Sequence, residues 1–248
     1  MRLFDTHCHF ERADPVTISS VLMRARAAGV ERVMAVGGSA GLNESATVAV
    51  GLEGMMGLPK VCRALGYDRE QINVARFPIA ADEKLAAWGE IGLDYHYSPE
   101  TRERQMKLFG EQLEEARRRD LPVVVHSREA DDDTLGLLRE IPSRGIIHCY
   151  TGTPESARRF LDLGFYISIS GIVTFRPADN VRASALVVPD DRILIETDSP
   201  FLAPVPMRGN PNEPAFVRHT CEFLAKLRGT DAESFAELTF ANAERILG

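Results

Sequence analysis

The stretch Leu3-Phe4-Asp5-Thr6-His7-Cys8-His9 begins with apolar residues and ends in two histidines that are one residue apart. Alternate side chains of a β-strand point to the same face, so His7 and His9 at the end of a strand can hold one metal ion. The motif alone does not establish a site, because one core histidine and one surface histidine give the same pattern. Four further candidate ligands come at the ends of other apolar runs: Glu90, His126, His148 and Asp198.

The composition is that of a globular protein with a large core. The chain has 248 residues, of which 44% are hydrophobic, and we expect a single domain over residues 1–248. It contains no apolar stretch of about 18 residues and no signal-peptide pattern, so we expect a cytoplasmic protein without a membrane segment. The four cysteines form no C-x-x-C pair, and a disulfide framework is not expected in a chain of this kind.

The formal net charge is −7. This charge argues against a broad basic surface for duplex nucleic acid, but it allows a small active site that takes the end of a strand. No feature of the sequence marks a surface for an obligate protein partner.

Apolar runs alternate with helix-like stretches along the chain. We predict eight strands, at Arg2–His7, Arg32–Gly37, Val61–Gly66, Ala87–Leu93, Pro122–His126, Gly145–Cys149, Phe165–Ile169 and Arg192–Thr197. Helices are predicted at Val16–Ala28, Leu42–Gly51, Thr101–Arg119, Asp132–Glu140, Pro154–Leu163, Pro177–Val187, Ala215–Leu227 and Asp231–Ile246. Between Tyr67 and Ala86 the pattern is poor, and a helix there is a guess.

Strands that alternate with helices predict a parallel sheet. Eight such units in this length favour an α/β fold of the (β/α)₈ TIM-barrel type, with an open doubly wound sheet as the alternative. The candidate ligands end predicted strands one, four, five, six and eight. A closed barrel brings these ends to one rim, where such enzymes carry their catalytic groups, whereas an open sheet spreads them apart. We therefore predict a barrel with a metal site at the carboxyl ends of its strands.

Five motifs in succession give the sequence a family likeness: Asp5-Thr6-His7-Cys8-His9, Gly89-Glu90-Ile91-Gly92-Leu93-Asp94-Tyr95, His126-Ser127-Arg128-Glu129-Ala130, His148-Cys149-Tyr150-Thr151-Gly152 and Glu196-Thr197-Asp198-Ser199-Pro200. The chain thereby resembles the TatD-type metal-dependent deoxyribonucleases, which belong to the barrel metallohydrolases. The resemblance extends to Asn212-Glu213-Pro214 and covers most of the chain.

The resemblance implies two divalent metal ions, for which imidazole and carboxylate ligands suit Mg, Mn or Zn. One ion is expected on His7, His9 and Asp198. The other is expected on His126 and His148, and Glu90 would bridge the two. Two ions about 3.5–4 Å apart can lower the pKa of a shared water and hold the oxygens of a phosphodiester during displacement.

Neighbouring acids extend this expectation. Asp198 is expected to orient the attacking water or to accept its proton. By strand parity, Asp5 shares a face with His7 and Glu196 shares one with Asp198, so either acid can accept the free N–H of a ligating histidine. Ordinary acids of the barrel interior or loops would give the same pattern.

Candidate substrate contacts come from predicted rim loops. Arg128 and Arg208 suit bidentate contacts with phosphate, and His96 follows Glu90 in its loop. An unpaired base can stack on aromatic rings, for which the loops offer Tyr95, Tyr97 and Tyr150. We therefore expect DNA as the substrate, as single strands or 3′ ends.

Two departures from the family pattern bear on the substrate. Members often have Gly-x-His-Pro after strand three, where this chain has Gly66-Tyr67-Asp68-Arg69. In the late loop, Met207 and Asn210 stand where a histidine and a basic residue are common. Both departures reduce the expected phosphate-binding groups, and we expect modest nuclease activity.

Two other functions compete with DNA hydrolysis. The same fold and site can hydrolyse a lactone, an amide or a phosphotriester. A non-catalytic metal-binding or partner-binding protein is the third hypothesis, against which the intact ligand set argues.

Overall fold

The strands form a barrel, as the alternating pattern predicts. The computed structural model describes residues 1–52, 54–80 and 83–248. Eight parallel strands lie side by side in chain order, each hydrogen-bonded to the next. Their bounds are Leu3–Cys8 (β1), Val30–Gly38 (β2), Lys60–Tyr67 (β3), Ala87–Asp94 (β4), Val123–Arg128 (β5), Gly145–Ile147 (β6), Tyr166–Ile169 (β7) and Ile193–Ile195 (β8).

The barrel closes next to the candidate metal site. Asp198 donates its backbone N–H to the carbonyl of His7 at 2.9 Å, and His9 donates to the carbonyl of Ser199 at 2.8 Å. Cys8 and Ser199 also form an isolated parallel bridge. The first and last strands therefore meet through the residues that flank three candidate ligands, which an open sheet would not bring together.

Helices cover the outside of the barrel. They span Pro15–Ala27 (α1), Ala40–Gly51 (α2), Arg102–Arg118 (α3), Asp131–Glu140 (α4), Pro154–Asp162 (α5), Asp179–Val187 (α6), Val217–Arg228 (α7) and Ala232–Leu247 (α8). The helix guessed between Tyr67 and Ala86 is wrong for the described part of that segment, where residues 68–80 and 83–86 contain no helix. This connection has Pro78 and lacks helical spacing of apolar residues, so it crosses from β3 to β4 as a loop. No described helix is long and apolar enough to cross a membrane.

The core has two layers because alternate strand residues face opposite sides of the sheet. Inside the barrel, a cluster of buried side chains includes Phe4, Met34, Val124, Ile146 and Leu194. Helix α8 adds Phe240, Ala243 and Leu247 to this cluster, and the Phe240 ring lies 5.9 Å from that of Phe4. The larger cluster lies between the strands and the surrounding helices. The interior is thus filled, and functional groups are left to the rim.

Helix α3 fixes two strands beside the candidate site through buried amides. The Oε1 atom of Gln112 accepts from the Tyr67 backbone N–H at 2.8 Å and from the Trp88 indole at 3.2 Å. Gln105 does the same for Asp94, accepting from its N–H at 2.8 Å and donating to its carbonyl at 3.0 Å. These bonds satisfy the backbone where β3 and β4 end, which holds the following loops in place.

Candidate metal centre

The six candidate ligands come from five strands, but not all stand at strand ends. His7 and His126 lie within β1 and β5, and Glu90 lies in the middle of β4. The other three follow strands: His9 after β1, His148 after β6 and Asp198 after β8. Strands β6 and β8 are shorter than predicted, so His148 and Asp198 lie in the loops that follow them. All six nevertheless meet at one place on the rim.

A close approach of β4 to β5 helps to bring Glu90 and His126 together. Gly92 has φ +134°, and a Cβ there would lie 2.0 Å from the carbonyl oxygen of His126. Only glycine fits such a position without moving the neighbouring backbone. The glycine in this strand therefore serves the geometry of the site.

One half of the site gathers His7, His9 and two carboxylates. The Nε2 atoms of His7 and His9 lie 3.0 Å apart. Glu90 Oε2 is 3.5 Å from the first nitrogen and 3.3 Å from the second. Asp198 Oδ1 is 3.8 Å from each. Four ligand atoms from three strands thus converge on one small space.

The other half uses the second oxygen of the same glutamate. His126 Nδ1 and His148 Nε2 lie 3.2 Å apart. Glu90 Oε1 is 3.5 Å from the former and 3.3 Å from the latter. Each carboxylate oxygen of Glu90 therefore faces one pair of histidines.

The distances fit ligands that share an ion. Two nitrogens bound at about 2.0–2.1 Å in a tetrahedral site lie roughly 3.3 Å apart. Imidazole nitrogens with facing lone pairs repel each other unless a proton or a metal ion lies between them. Both histidine pairs show this facing arrangement, which is the arrangement that a metal-binding donor set requires.

Outer partners orient three of the four rings. His9 Nδ1 lies 2.9 Å from the carbonyl of Val36, and His126 Nε2 lies 3.1 Å from Asp94 Oδ2. His148 Nδ1 lies 3.4 Å from Glu196 Oε1. Such partners accept the N–H of one ring nitrogen and leave the other free for a metal. His7 Nδ1 is buried without a hydrogen-bond partner in the described part of the chain.

The alternation of side chains along the strands predicted one acid beside a histidine ligand correctly and another wrongly. Glu196 faces His148, as an acid beneath a ligand should, and also accepts from the backbone N–H of Cys149 at 2.7 Å. Asp5 instead accepts from the Thr197 hydroxyl at 2.6 Å and from the Thr197 N–H at 2.8 Å. Its carboxylate therefore joins β1 to the residues after β8 and does not face an imidazole. Irregular register between Asp5 and Cys8 explains why simple alternation fails there.

The electrostatics separate the two central carboxylates. Burial opposes ionisation of Glu90, but His148, His7 and His9 outweigh it and hold the pKa of Glu90 well below its usual range. Burial raises the pKa of Asp198 to about 6, although His148 and His9 oppose that rise. Glu90 is thus the permanent anion at the centre, and Asp198 is the more basic group beside it.

A cavity of about 590 Å³ opens over the site, a size typical of small-molecule sites. Asp198 and His126 form part of its floor, and Arg69 and Arg128 supply positive charge at its wall. Its remaining lining residues are Glu70, Asp94, Tyr97, Ser127, Cys149, Thr151, Ile172, Phe201 and Leu202. The cavity therefore combines acids, two guanidinium groups and an apolar side.

The predicted substrate residues divide into those at the cavity and those away from it. Arg128 lines it, with its guanidinium 4.8 Å from the Tyr97 ring centre. Of the described residues at its wall, none is Arg208 or His96. The guanidinium of Arg208 lies 4.0 Å from the ring centre of Phe175, and His96 Nδ1 lies 2.7 Å from Glu129 Oε1. Both therefore have local partners instead of facing the metal centre.

Of the three tyrosines predicted to stack on a base, one lines the cavity. Tyr97 lines the cavity and is 68% exposed. The Tyr95 hydroxyl donates to Asp133 at 2.7 Å, and Tyr150 is buried, so neither presents a ring to the cavity. In the late loop, Met207 and Asn210 bond to each other, with the N–H of Asn210 donating to the carbonyl of Met207.

Three residues at the site were missed by sequence reasoning. Asp94 binds His126, Arg69 reaches Glu90, and Phe201 stands 56% exposed at the cavity wall. Asp94 lies in the motif that runs from Gly89 to Tyr95, and its even spacing from Glu90 within one strand was an available signal. No local pattern marks Arg69 or Phe201, since both act from loops.

The chain is similar over nearly its whole length to one family model and to known metal-dependent hydrolases. The family model described as TatD related DNase matches residues 4–248. An Escherichia coli K12 protein, YcfH, described as an uncharacterized metal-dependent hydrolase, is 40% identical over 99% of this chain and 96% of its own length. YabD of Bacillus subtilis, with the same description, is 35% identical over 98% of both chains. The crystal structure of YjjV, a TatD homolog from Escherichia coli K12, superposes with a TM-score of 0.84 at 29% identity, covering 99% of this chain and 98% of that one.

Proposed function

We propose, since the chain belongs to the TatD-related DNase family, that this metal-dependent hydrolase cleaves phosphodiester bonds at the ends of DNA strands with two divalent ions. The ions, Mg, Mn or Zn, would be held by His7, His9 and Asp198 on one side and by His126 and His148 on the other, with Glu90 between them. Location in the cytosol stays a prediction from the sequence.

The position of Glu90 is the observation that carries the proposal. Its two oxygens face separate histidine pairs at 3.3–3.5 Å, and the carboxyl is held ionised by those histidines. The guanidinium of Arg69 lies 3.3 Å from Oε1, but this one positive charge does not stand beside both oxygens. A shared bridge between two cations accounts for both oxygens at once.

Asp198 is proposed as the general base. When bound, divalent ions supply an activated water and stabilise negative charge on the phosphate oxygens. Asp198 lines the cavity, where a water can reach its carboxylate, whereas Glu90 is buried between the two histidine pairs. Its carboxylate would orient the attacking water and take a proton as the water adds to phosphorus and the sugar oxygen leaves.

The substrate proposal is supported by the shape and charge of the cavity. The net charge of −7 offers no broad attraction for a duplex, so phosphate binding must be local. Tyr97 and Phe201 are exposed aromatic residues that line this cavity, and stacking of a base on such a ring is worth about 1–3 kcal/mol. An unpaired base has its faces free to stack on such rings, whereas a base inside a duplex is already stacked on its neighbours.

End-labelled DNA tests the proposal directly. We expect the protein with Mg²⁺ or Mn²⁺ to release nucleotides from linear single strands faster than from duplex, and to leave circular strands intact. Asp198→Asn is the matched control for contaminating nucleases, because it should remove the cutting while conserving side-chain shape. Equal cutting of circular and linear strands would contradict the preference for ends. Absence of any cutting, with rapid turnover of a lactone or ester, would assign the site to another hydrolysis.

A further inference from the structure

Arg69 brings a positive charge into the centre of this site from the loop after β3. Its Nη1 lies 3.3 Å from Glu90 Oε1, the oxygen that faces His126 and His148. Its Nε lies 3.9 Å from Asp94 Oδ2. The side chain is 20% exposed and lines the cavity. A guanidinium therefore borders the histidine pair on this side of Glu90.

Most of the hydrogen-bonding capacity of Arg69 is unused by the protein. A guanidinium carries five N–H donors in a fixed plane. Among the described residues, the only hydrogen bond that Arg69 donates is the one from Nη1 to Glu90. Its Nη2 lies 3.8 Å from an oxygen of Glu70, whose side chain is 71% exposed. Donors of a mostly buried guanidinium that face an open cavity are available to an anionic ligand.

The second arginine of the cavity is also available. Arg128 follows His126 by two positions on β5, and its guanidinium lies over the Tyr97 ring. In register, Arg128 pairs with Asp94, the residue that Arg69 approaches from β3. Two cations thus reach the cavity from strands on either side of β4, and no other arginine or lysine is among the described residues that line it.

We propose that Arg69 is a specificity-determining residue that binds an anionic phosphate oxygen of the substrate above His126 and His148. The inference rests on the proposed function and specifies its substrate class: a phosphate that keeps a negative charge, as in a phosphodiester or a terminal phosphomonoester. The planar fork of arginine matches two oxygens of such a group. A lactone or a phosphotriester carries no such charge and would gain little from Arg69.

A purely internal role makes a different prediction. If Arg69 only compensates the charge of Glu90, its removal changes metal binding and leaves phosphate binding unaffected. If Arg69 binds substrate, its removal weakens phosphate binding while metal binding stays the same or tightens, because a competitor for Glu90 is gone. The two roles therefore separate in binding experiments that do not involve turnover.

The experiment measures binding of thymidine 5′-monophosphate and of inorganic phosphate to the Mn²⁺-loaded protein by titration calorimetry. Arg69→Gln should weaken binding about 10- to 100-fold, the scale of one hydrogen bond between charged groups. Arg69→Lys should lose less, since it keeps the charge but not the fork. Arg144→Gln is the matched control: Arg144 pairs with Asp120 in the loops before β5 and β6, at the opposite end of the barrel. Mn²⁺ binding to each variant is measured in the same series.

The inference would be overturned if Arg69→Gln binds the nucleotide within about twofold of the wild-type affinity. It would also be overturned if the wild type binds neither probe. Should Arg69→Gln not fold, the Arg69→Lys protein decides, with wild-type affinity overturning the inference. Arginine-dependent binding without any DNA cleavage would support the inference while the proposed nuclease function fails. If the protein cleaves DNA but its affinity for the two phosphate probes does not depend on Arg69, the proposed function is supported and the inference is refuted.

Discussion

Asp94→Asn is a small change that should disable one half of the metal centre. The Oδ2 atom of Asp94 lies 3.1 Å from His126 Nε2, while Oδ1 accepts from the backbone N–H groups of His96 and Tyr97 at 2.9 and 3.1 Å. A carboxylate only accepts, so His126 must carry its proton on Nε2. Its Nδ1 then presents a lone pair toward His148 and Glu90. The hydrogen bond with His126 also helps to lower the pKa of Asp94 to about 2 against the effect of burial.

The asparagine cannot satisfy both groups. If its amide nitrogen faces His126, the imidazole proton moves to Nδ1 and blocks the metal-facing atom. If the amide turns over, two backbone N–H groups lose their acceptor. A hydrogen bond to a charged group contributes about 1.5–3 kcal/mol, which equals roughly 10- to 150-fold in an equilibrium constant. Loss of an outer partner of a metal-bound histidine typically costs about 10- to 100-fold in affinity. We therefore expect a loss in this range for one ion only.

Titration of Mn²⁺ into metal-free protein measures this loss. The wild type should bind two ions, and Asp94→Asn should weaken one of them while the ion beside His7 and His9 keeps its affinity. Asp133→Asn is the control, because the Asp133 carboxylate binds Tyr95 and Arg102 and no histidine. Two unchanged affinities in Asp94→Asn would refute the reasoning about the His126 tautomer.

Three further predictions test separate parts of the account. Asp198→Asn, with metal still bound, should lower kcat by about 10²–10⁴-fold, the scale for loss of a general base, and a near-normal kcat would assign the proton to another group. His7→Ala should empty mainly one ion site and His126→Ala mainly the other, as counted by metal per chain; loss of both ions in either variant would contradict two separable halves. Asp133→Asn should lower the free energy of unfolding by less than about 1 kcal/mol at pH 7, because the pair is partly exposed to solvent. The hydrogen bond from Arg102 holds the pKa of Asp133 below its ordinary value. The stabilisation by the ionised carboxylate is therefore present above about pH 4 and is lost as the pH falls further. Denaturant titrations at pH 7 and pH 3 measure the free energy of unfolding of the variant and of the wild type. Asp132→Asn is the control, because the Asp132 side chain is 88% exposed. An equal loss of stability at both pH values would contradict the ion-pair explanation.

The barrel was predictable because its evidence is local and repeated. Each apolar run between turns predicts a buried strand, and histidine or acid at the end of such runs predicts a shared rim. The connection between β3 and β4 was not predictable, because residues 68–80 have neither strand nor helix periodicity. The lengths of β6 and β8 were overestimated, because these strands end at Ile147 and Ile195, before the polar residues that the predicted strands included.

The candidate ligands were predictable for the same local reason, and their outer partners were not. His7 lies in β1 and His9 directly follows it, and their Nε2 atoms lie 3.0 Å apart, on one side as alternation predicts. The role of Asp5 depends on how β1 packs against the residues after β8, which no pattern within β1 encodes. Arg69 and Phe201 reach the cavity from loops whose paths depend on the whole barrel. Contacts between distant segments thus decide the substrate side of the site, while local pattern decides its metal side.

Anomalous diffraction from crystals of the wild-type protein grown with Mn²⁺ would locate the ions directly. Two manganese peaks are expected on either side of the Glu90 carboxylate, one among His7, His9 and Asp198 and the other between His126 and His148. A single peak, or peaks that leave Glu90 without contact to an ion, would contradict a two-metal centre built on this glutamate.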